Sequence, residues 1–233
     1  MTLPGTTALP VKRYPLIDLL KALAAQFIVL HHFSVYGPVS KALHAALPRV
    51  MGMLYEHGLI AVQIFFVTGG YLTARSLSSS TASWRRPSVV IFKRYARLLM
   101  PYLAAMFIVM LCMAWVRPWL TADLAAPAPS WGQWLAHVAM AQGILGIESL
   151  SAGVWYVAMD FQLFVLLTLM LRWAEGGQTK RAQTAVVALC MTSLLAFNRQ
   201  VELDNWAIYF FGAYGLGVLA WWARRKGKTS APA

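Results

Sequence analysis

Six stretches of predominantly apolar residues, at 16–36, 56–74, 97–116, 151–172, 183–198 and 205–223, follow one another along this chain with short polar connections between them. Several approach the ~20 apolar residues that a helix needs to cross about 30 Å of hydrocarbon. Inside a bilayer a backbone must satisfy its own hydrogen bonds, which segments of this length do as helices. With 59% hydrophobic and 12% charged residues, the chain falls far from the roughly 25% charge of soluble domains. The expected fold is all-α, a polytopic transmembrane helix bundle of about six spans in a single domain, 1–233. A seventh segment, WGQWLAHVAMAQGILGI (131–147), is helical in pattern but interrupted by Gly, Gln and His. It is expected to be re-entrant or interfacial.

The net charge of +12 does not point to nucleic acid, because the cations sit in the short connections. If 131–147 does not cross, one side of the membrane holds Lys12, Arg13, Arg75, Arg85, Arg86, Lys93, Arg94, Arg97, Arg172, Lys180, Arg181 and the tail Arg224, Arg225, Lys226 and Lys228. The other side keeps only Lys41, Arg49, Arg117 and Arg199. The positive-inside rule then places both termini in the cytoplasm, with 1–14 a cytoplasmic segment and 224–233 a basic tail. SSSTAS (78–83) is expected to be a flexible piece of an inside loop, and no cleavable signal layout precedes Leu16. Cys112 and Cys190 both lie in apolar runs and are expected to be reduced.

The first span, LIDLLKALAAQFIVLHH (16–32), carries Asp18, Lys21, His31 and His32. Each charged group near a bilayer centre costs roughly 2.5–3.5 kcal/mol even on a lenient scale. At 100° per residue, Lys21 and His32 fall about 20° apart, Asp18 about 60° from Lys21, and His31 roughly 80° away. Asp18, Lys21 and His32 are therefore expected to form one polar stripe facing the bundle interior, with Lys21 and His32 about 16 Å apart along the axis. A structural Asp18–Lys21 pair and an interfacial histidine are the plainer readings. Three ionisable groups on one stripe favour function.

This stretch resembles the first-helix signature of acyltransferase family 3, membrane-bound enzymes that O-acylate sugars and other hydroxyl compounds. Asp18, Lys21 and His32 match it position by position, with Leu19 where Gly is usual. GLIAVQIFFVTGGYL (58–72) is similar to the family's second-helix pattern, with Gln63 for Asp and Gly69 for Ser. FKRYARLLMPY (92–102) resembles its R-x-x-R motif followed by Pro, through Arg94, Arg97 and Pro101. VWYVAMDFQLF (154–164) resembles a fourth motif through Trp155, Asp160 in place of Glu, and Gln162.

The resemblance implies transfer of an acyl group, an acetyl group above all, from cytoplasmic acyl-CoA to a hydroxyl of an extracytoplasmic carbohydrate or glycolipid. His32 is then the base, since imidazole takes and returns protons near neutrality. Asp160 or Glu148 is the carboxylate that orients it; the residues leave both open. Arg94 and Arg97 either anchor the third span to anionic headgroups or, with the motif, grip the phosphates of the donor. Lys21 joins His32 and Asp160 as catalytic, and Asp18, Trp155 and Gln162 join the arginines in binding substrate or donor.

No cofactor or metal is implied, and no Walker lysine, zinc spacing or nucleophile elbow is present in the sequence. The implied location is a cell membrane, the inner membrane of a bacterium. Family members usually carry about ten helices, so the resemblance implies a shortened or partial member, or a protein partner that completes the bundle. The aromatic residues near span ends, among them Trp115, Trp119, Trp131 and Trp134, are expected in the interfacial belt. The small residues of GGYL and FFGAYGLGVLAWW suit close helix packing. The alternative reading is a non-catalytic membrane protein, a small permease or scaffold, whose buried charges carry a solute or hold helices together.

Overall fold

The computed structural model describes residues 14–78, 84–120, 128–176 and 179–229. The N-terminal segment 1–13, most of the serine-rich stretch at 79–83 and the end of the tail at 230–233 lie outside the described residues. Nine α-helices are seen among the described residues, and no strand: α1 (Pro15–Val35), α2 (Gly37–Ala46), α3 (Pro48–His57), α4 (Ile60–Ser78), α5 (Pro87–Val116), α6 (Trp131–Val138), α7 (Val154–Trp173), α8 (Lys180–Leu195) and α9 (Ala207–Thr229). Prolines open α1, α3 and α5, where the missing N–H would have had no intrahelical partner.

The six expected spans correspond to α1, α4, α5, α7, α8 and α9, with shifted edges. Four stretches meet the length and hydropathy of a crossing: Pro15–Val35, Pro48–Ser78, Pro87–Trp119 and Val154–Trp173. Helix α8 is 16 residues long, about 24 Å of rise. Helix α5 begins ten residues before the expected boundary, because Lys93, Arg94 and Arg97 depress hydropathy yet are good helix formers. The basic tail is not separate from the last span, since α9 continues through Arg224 and Arg225 to Thr229. Helices α2 and α3 were not expected.

Segment 131–147 is helical only as far as Val138, an eight-residue helix opened by a capping box between Ser130 and Gln133. Turns occupy 139–146. Such a helix rises about 12 Å and does not cross.

The core lies among α4, α7, α8 and α9, where Phe66, Leu163, Leu167, Val186, Phe211, Tyr214 and Val218 are fully buried. Helices α4 and α9 pack almost backbone to backbone. A Cβ on Gly70 would overlap the Tyr214 carbonyl, and one on Gly217 would overlap the Val67 carbonyl. The small residues of these two helices thus act as packing surfaces. Outside the core, α5 buries only Tyr102 and Met106, and leaves Phe107, Ile108 and Leu111 54–59% exposed. An apolar surface of this extent is unfavourable in water and matched by hydrocarbon. This is a membrane protein.

Helix α1 is rotated away from the expected stripe. It packs on α3 and α4 through Ala24, His31 and Ser34, while Asp18 and Lys21 are exposed and His32 is half-buried. The rotation follows from contacts that periodicity cannot contain. The Nδ1 atom of His31 lies 2.8 Å from the Leu54 carbonyl, and its ring occupies the space that a side chain at Gly58 would need.

Candidate active site between α5 and α7

The sequence places Asp160 in an apolar helix, and a lone buried carboxylate there needs a partner. The partner is Arg94 of α5. Its Nη2 donates to Asp160 Oδ2 across 2.5 Å, and its guanidinium lies over the Phe164 ring, 4.9 Å from the centroid. The two helices are held at this register by neighbouring contacts. Tyr95 donates to the Val138 carbonyl at 2.8 Å and packs against Phe161. Tyr102 and Met106 bury against Val154, Ala158 and Met140.

On its other side the Asp160 carboxylate faces α4 and α9. A Cβ built on Gly69 would stand 3.2 Å from Asp160 Oδ1 and 3.6 Å from the Tyr214 ring. Four helices therefore meet around one carboxylate. Asp160 is committed to Arg94, so the expected pairing of Asp160 with His32 is corrected: the nearest cation, reached across the α5–α7 interface, takes the carboxylate. Arg94 in turn is not an open phosphate fork. Arg97, one turn further along α5, remains exposed.

Beside this pair, towards the N-terminus of α7, lies a polar cavity of about 430 Å³. Trp155 and Gln162 of α7 line it, together with Gln142, Glu148, Asp204 and Asn205 from two connections. Its wall at 139–150 is held by His137, which is fully buried. The ring donates from Nδ1 to the Gln133 carbonyl at 2.7 Å and accepts the Leu150 N–H on Nε2 at 3.1 Å, which defines its tautomer. Two amides of the lining keep unfilled acceptors. Gln142 donates to the Tyr102 hydroxyl and Gln162 to the Met140 carbonyl, while the Oε1 of each is buried without a partner. Such an atom carries a desolvation cost.

The remaining expected residues are placed as follows. His32 stands beside His31 and Tyr36, at ring distances of 6.0 and 5.6 Å. Neither His32 nor Asp18, Lys21, Arg94 or Arg97 lines the polar cavity. Asp18 and Lys21 do not face the bundle interior as expected, because the face of α1 that carries them turns outward. Glu148 is exposed and lines the polar cavity, which His32 does not. Gln142, His137, Asp204 and Asn205 were not foreseen as site residues; the only signal was the interruption of 131–147 by Gln and His.

A family model described as an acyltransferase domain, that of acyltransferase family 3, matches residues 14–232. The chain belongs to acyltransferase family 3. It is an acyl-group transferase with membrane helices. No curated protein and no solved structure matches it. Three of the four acyltransferase motifs contribute to one locus: Gly69 from the second, Arg94 from the third, and Trp155, Asp160 and Gln162 from the fourth. Two of the four departures from the family pattern meet there too: a Cβ built on Gly69, where Ser is usual, would stand 3.2 Å from the carboxylate of Asp160, where Glu is usual.

Proposed function

We propose that this acyltransferase moves an acyl group, an acetyl group by preference, from cytoplasmic acyl-CoA to a hydroxyl of a carbohydrate or glycolipid on the extracytoplasmic side. One observation carries this reading: the polar cavity beside the Arg94–Asp160 pair. An indole wall at Trp155, two carboxylates and an asparagine amide are the groups that hold a polyhydroxylated ring. Charge supports the sidedness, since the connections that would flank this cavity from outside are poor in Lys and Arg.

In the proposed reaction a hydroxyl of the acceptor that extends from the polar cavity to His32 on α1, which does not line that cavity, gives its proton to the imidazole as its oxygen attacks the thioester carbonyl carbon. The carbon–sulfur bond then breaks, and the thiolate leaves and takes the proton back from the imidazolium. His32 has no hydrogen-bond partner among the described residues, so both ring nitrogens are available for such a role. The Arg94–Asp160 pair fixes α5 against α7 and so shapes the acceptor cavity, while the exposed Arg97 and Lys93 present positive charge to the donor's phosphates.

The test uses purified protein in nanodiscs, radiolabelled acetyl-CoA and envelope glycan from cells that lack the protein. Label is expected to enter the glycan in an ester that mild base removes. Unlabelled glycan together with no saturable acetyl-CoA binding would overturn the reading.

A further inference from the structure

Gln162 faces two cavities. On one side is the polar cavity of the candidate site, and on the other an apolar cavity of about 770 Å³ lies between α7 and α8. Both fall in the size range of ligand sites, roughly 300–1,000 Å³. Three segments contribute to both, and in each the polar lining residues other than Gln162 fall on the polar cavity. In the turns after α6, Gln142 lines the polar cavity and Ile144 the apolar one. Before α9, Asn205 lines the polar cavity and its neighbour Trp206 the apolar one. On α7 the apolar lining continues from Gln162 through Val165.

We infer that the acceptor is an amphiphile whose uncharged, hydroxyl-bearing head occupies the polar cavity and whose hydrocarbon chain occupies the apolar one, the two parts meeting at Gln162. The head's role as acceptor rests on the function proposed above. The chain's site rests on the geometry alone. Among the described residues no Lys or Arg lines the polar cavity, whereas Glu148 and Asp204 do. That disfavours a phosphate-bearing head and suits hydroxyls, which can donate to the carboxylates. A single-chain or branched hydrocarbon suits the second cavity, whose lining is almost wholly apolar and whose residue Leu169 is 48% exposed towards the bilayer. A free, water-soluble polymer would leave that cavity unused.

The experiment measures quenching of Trp206 by bromine in nanodiscs, with the Trp206→Phe protein subtracted to isolate its signal. The probes are a dodecyl glucoside brominated along its chain, a brominated dodecanol and a brominated phosphatidylcholine, at equal mole fraction. Saturable quenching by the glucoside at least about tenfold below the concentration needed by the alcohol is expected. Val165→Phe, which fills the apolar cavity, is expected to abolish that saturable component. Asp204→Leu, which removes a lining carboxylate, is expected to bring the glucoside down to the level of the alcohol. Equal quenching by all three probes would mean bulk lipid only and would overturn the inference, as would no quenching by the glucoside. Because no acyl donor is present, either failure leaves the proposed transfer standing. Conversely, selective glucoside binding without acetyl transfer would remove the proposed reaction and leave the two-part site.

Discussion

Arg94 and Asp160 stand 66 positions apart in the chain and are joined by one charge-assisted hydrogen bond of 2.5 Å between α5 and α7. The pair is unequal: the Asp160 side chain is 12% exposed and that of Arg94 30%. Removing the arginine strands a carboxylate among Phe164, Gly69 and Tyr214. Arg94→Ala is expected to lose about 3 kcal/mol, the low end for a broken buried pair because Arg94 is partly open. The double variant Arg94→Met, Asp160→Leu should lose less than the sum of its single changes. Unfolding of the four proteins in mixed micelles measures this, and additive losses would show that the two side chains do not interact.

Gly69 and Gly70 are adjacent and should respond unequally. Gly70→Ala drives a methyl into the Tyr214 carbonyl, which a helix backbone cannot yield, and a loss of about 1–3 kcal/mol is expected. Gly69→Ser places its Cβ 3.2 Å from Asp160 Oδ1. Its hydroxyl can donate to that oxygen, so its stability should stay within about 1 kcal/mol of the parent. Paired melting curves decide the matter, and equal losses would place the α4–α9 crossing elsewhere.

The two histidines of α1 separate structure from proposed chemistry. His31 is buried and bonded to the Leu54 carbonyl; His31→Ala should cost about 1–2 kcal/mol, from the lost hydrogen bond and the emptied ring space. His32→Ala should melt like the parent but transfer label about 10²–10⁴-fold more slowly, the usual contribution of a general base. Unimpaired turnover in His32→Ala would remove that ring from the mechanism.

Trp155 lines the polar cavity and leans on Phe210, with ring centroids 5.6 Å apart. Trp155→Phe keeps that support while shortening the wall. The acceptor KM should rise by up to about tenfold, the value of a lost aromatic contact, while the acetyl-CoA KM stays unchanged. Initial rates with each substrate varied in turn test this; a change confined to the donor KM would move Trp155 to the donor side.

How much of this was legible before any coordinates existed differs from residue to residue. The helical class and the six main helices follow from segment length, because a backbone in hydrocarbon has few ways to satisfy itself. Arg94, Trp155, Asp160 and Gln162 were visible as motif positions. Helices α2 and α3 were hidden, since ten mixed residues carry no spanning signal, and the cavity residues Asp204 and Asn205 were hidden because they lie in a connection without periodicity.

Sequence alone determined that the chain is a membrane helix bundle and where its ionisable side chains fall along each helix. Which way each helix turns was decided only by tertiary packing. The 100° step places Asp18, Lys21 and His32 on one side of α1, but nothing in that periodicity says whether the side faces protein or lipid. The His31–Leu54 bond and the room left by Gly58 chose the opposite rotation. The same reason applies to Asp160: its burial required a cation, and only the α5–α7 contact determined that the cation was Arg94.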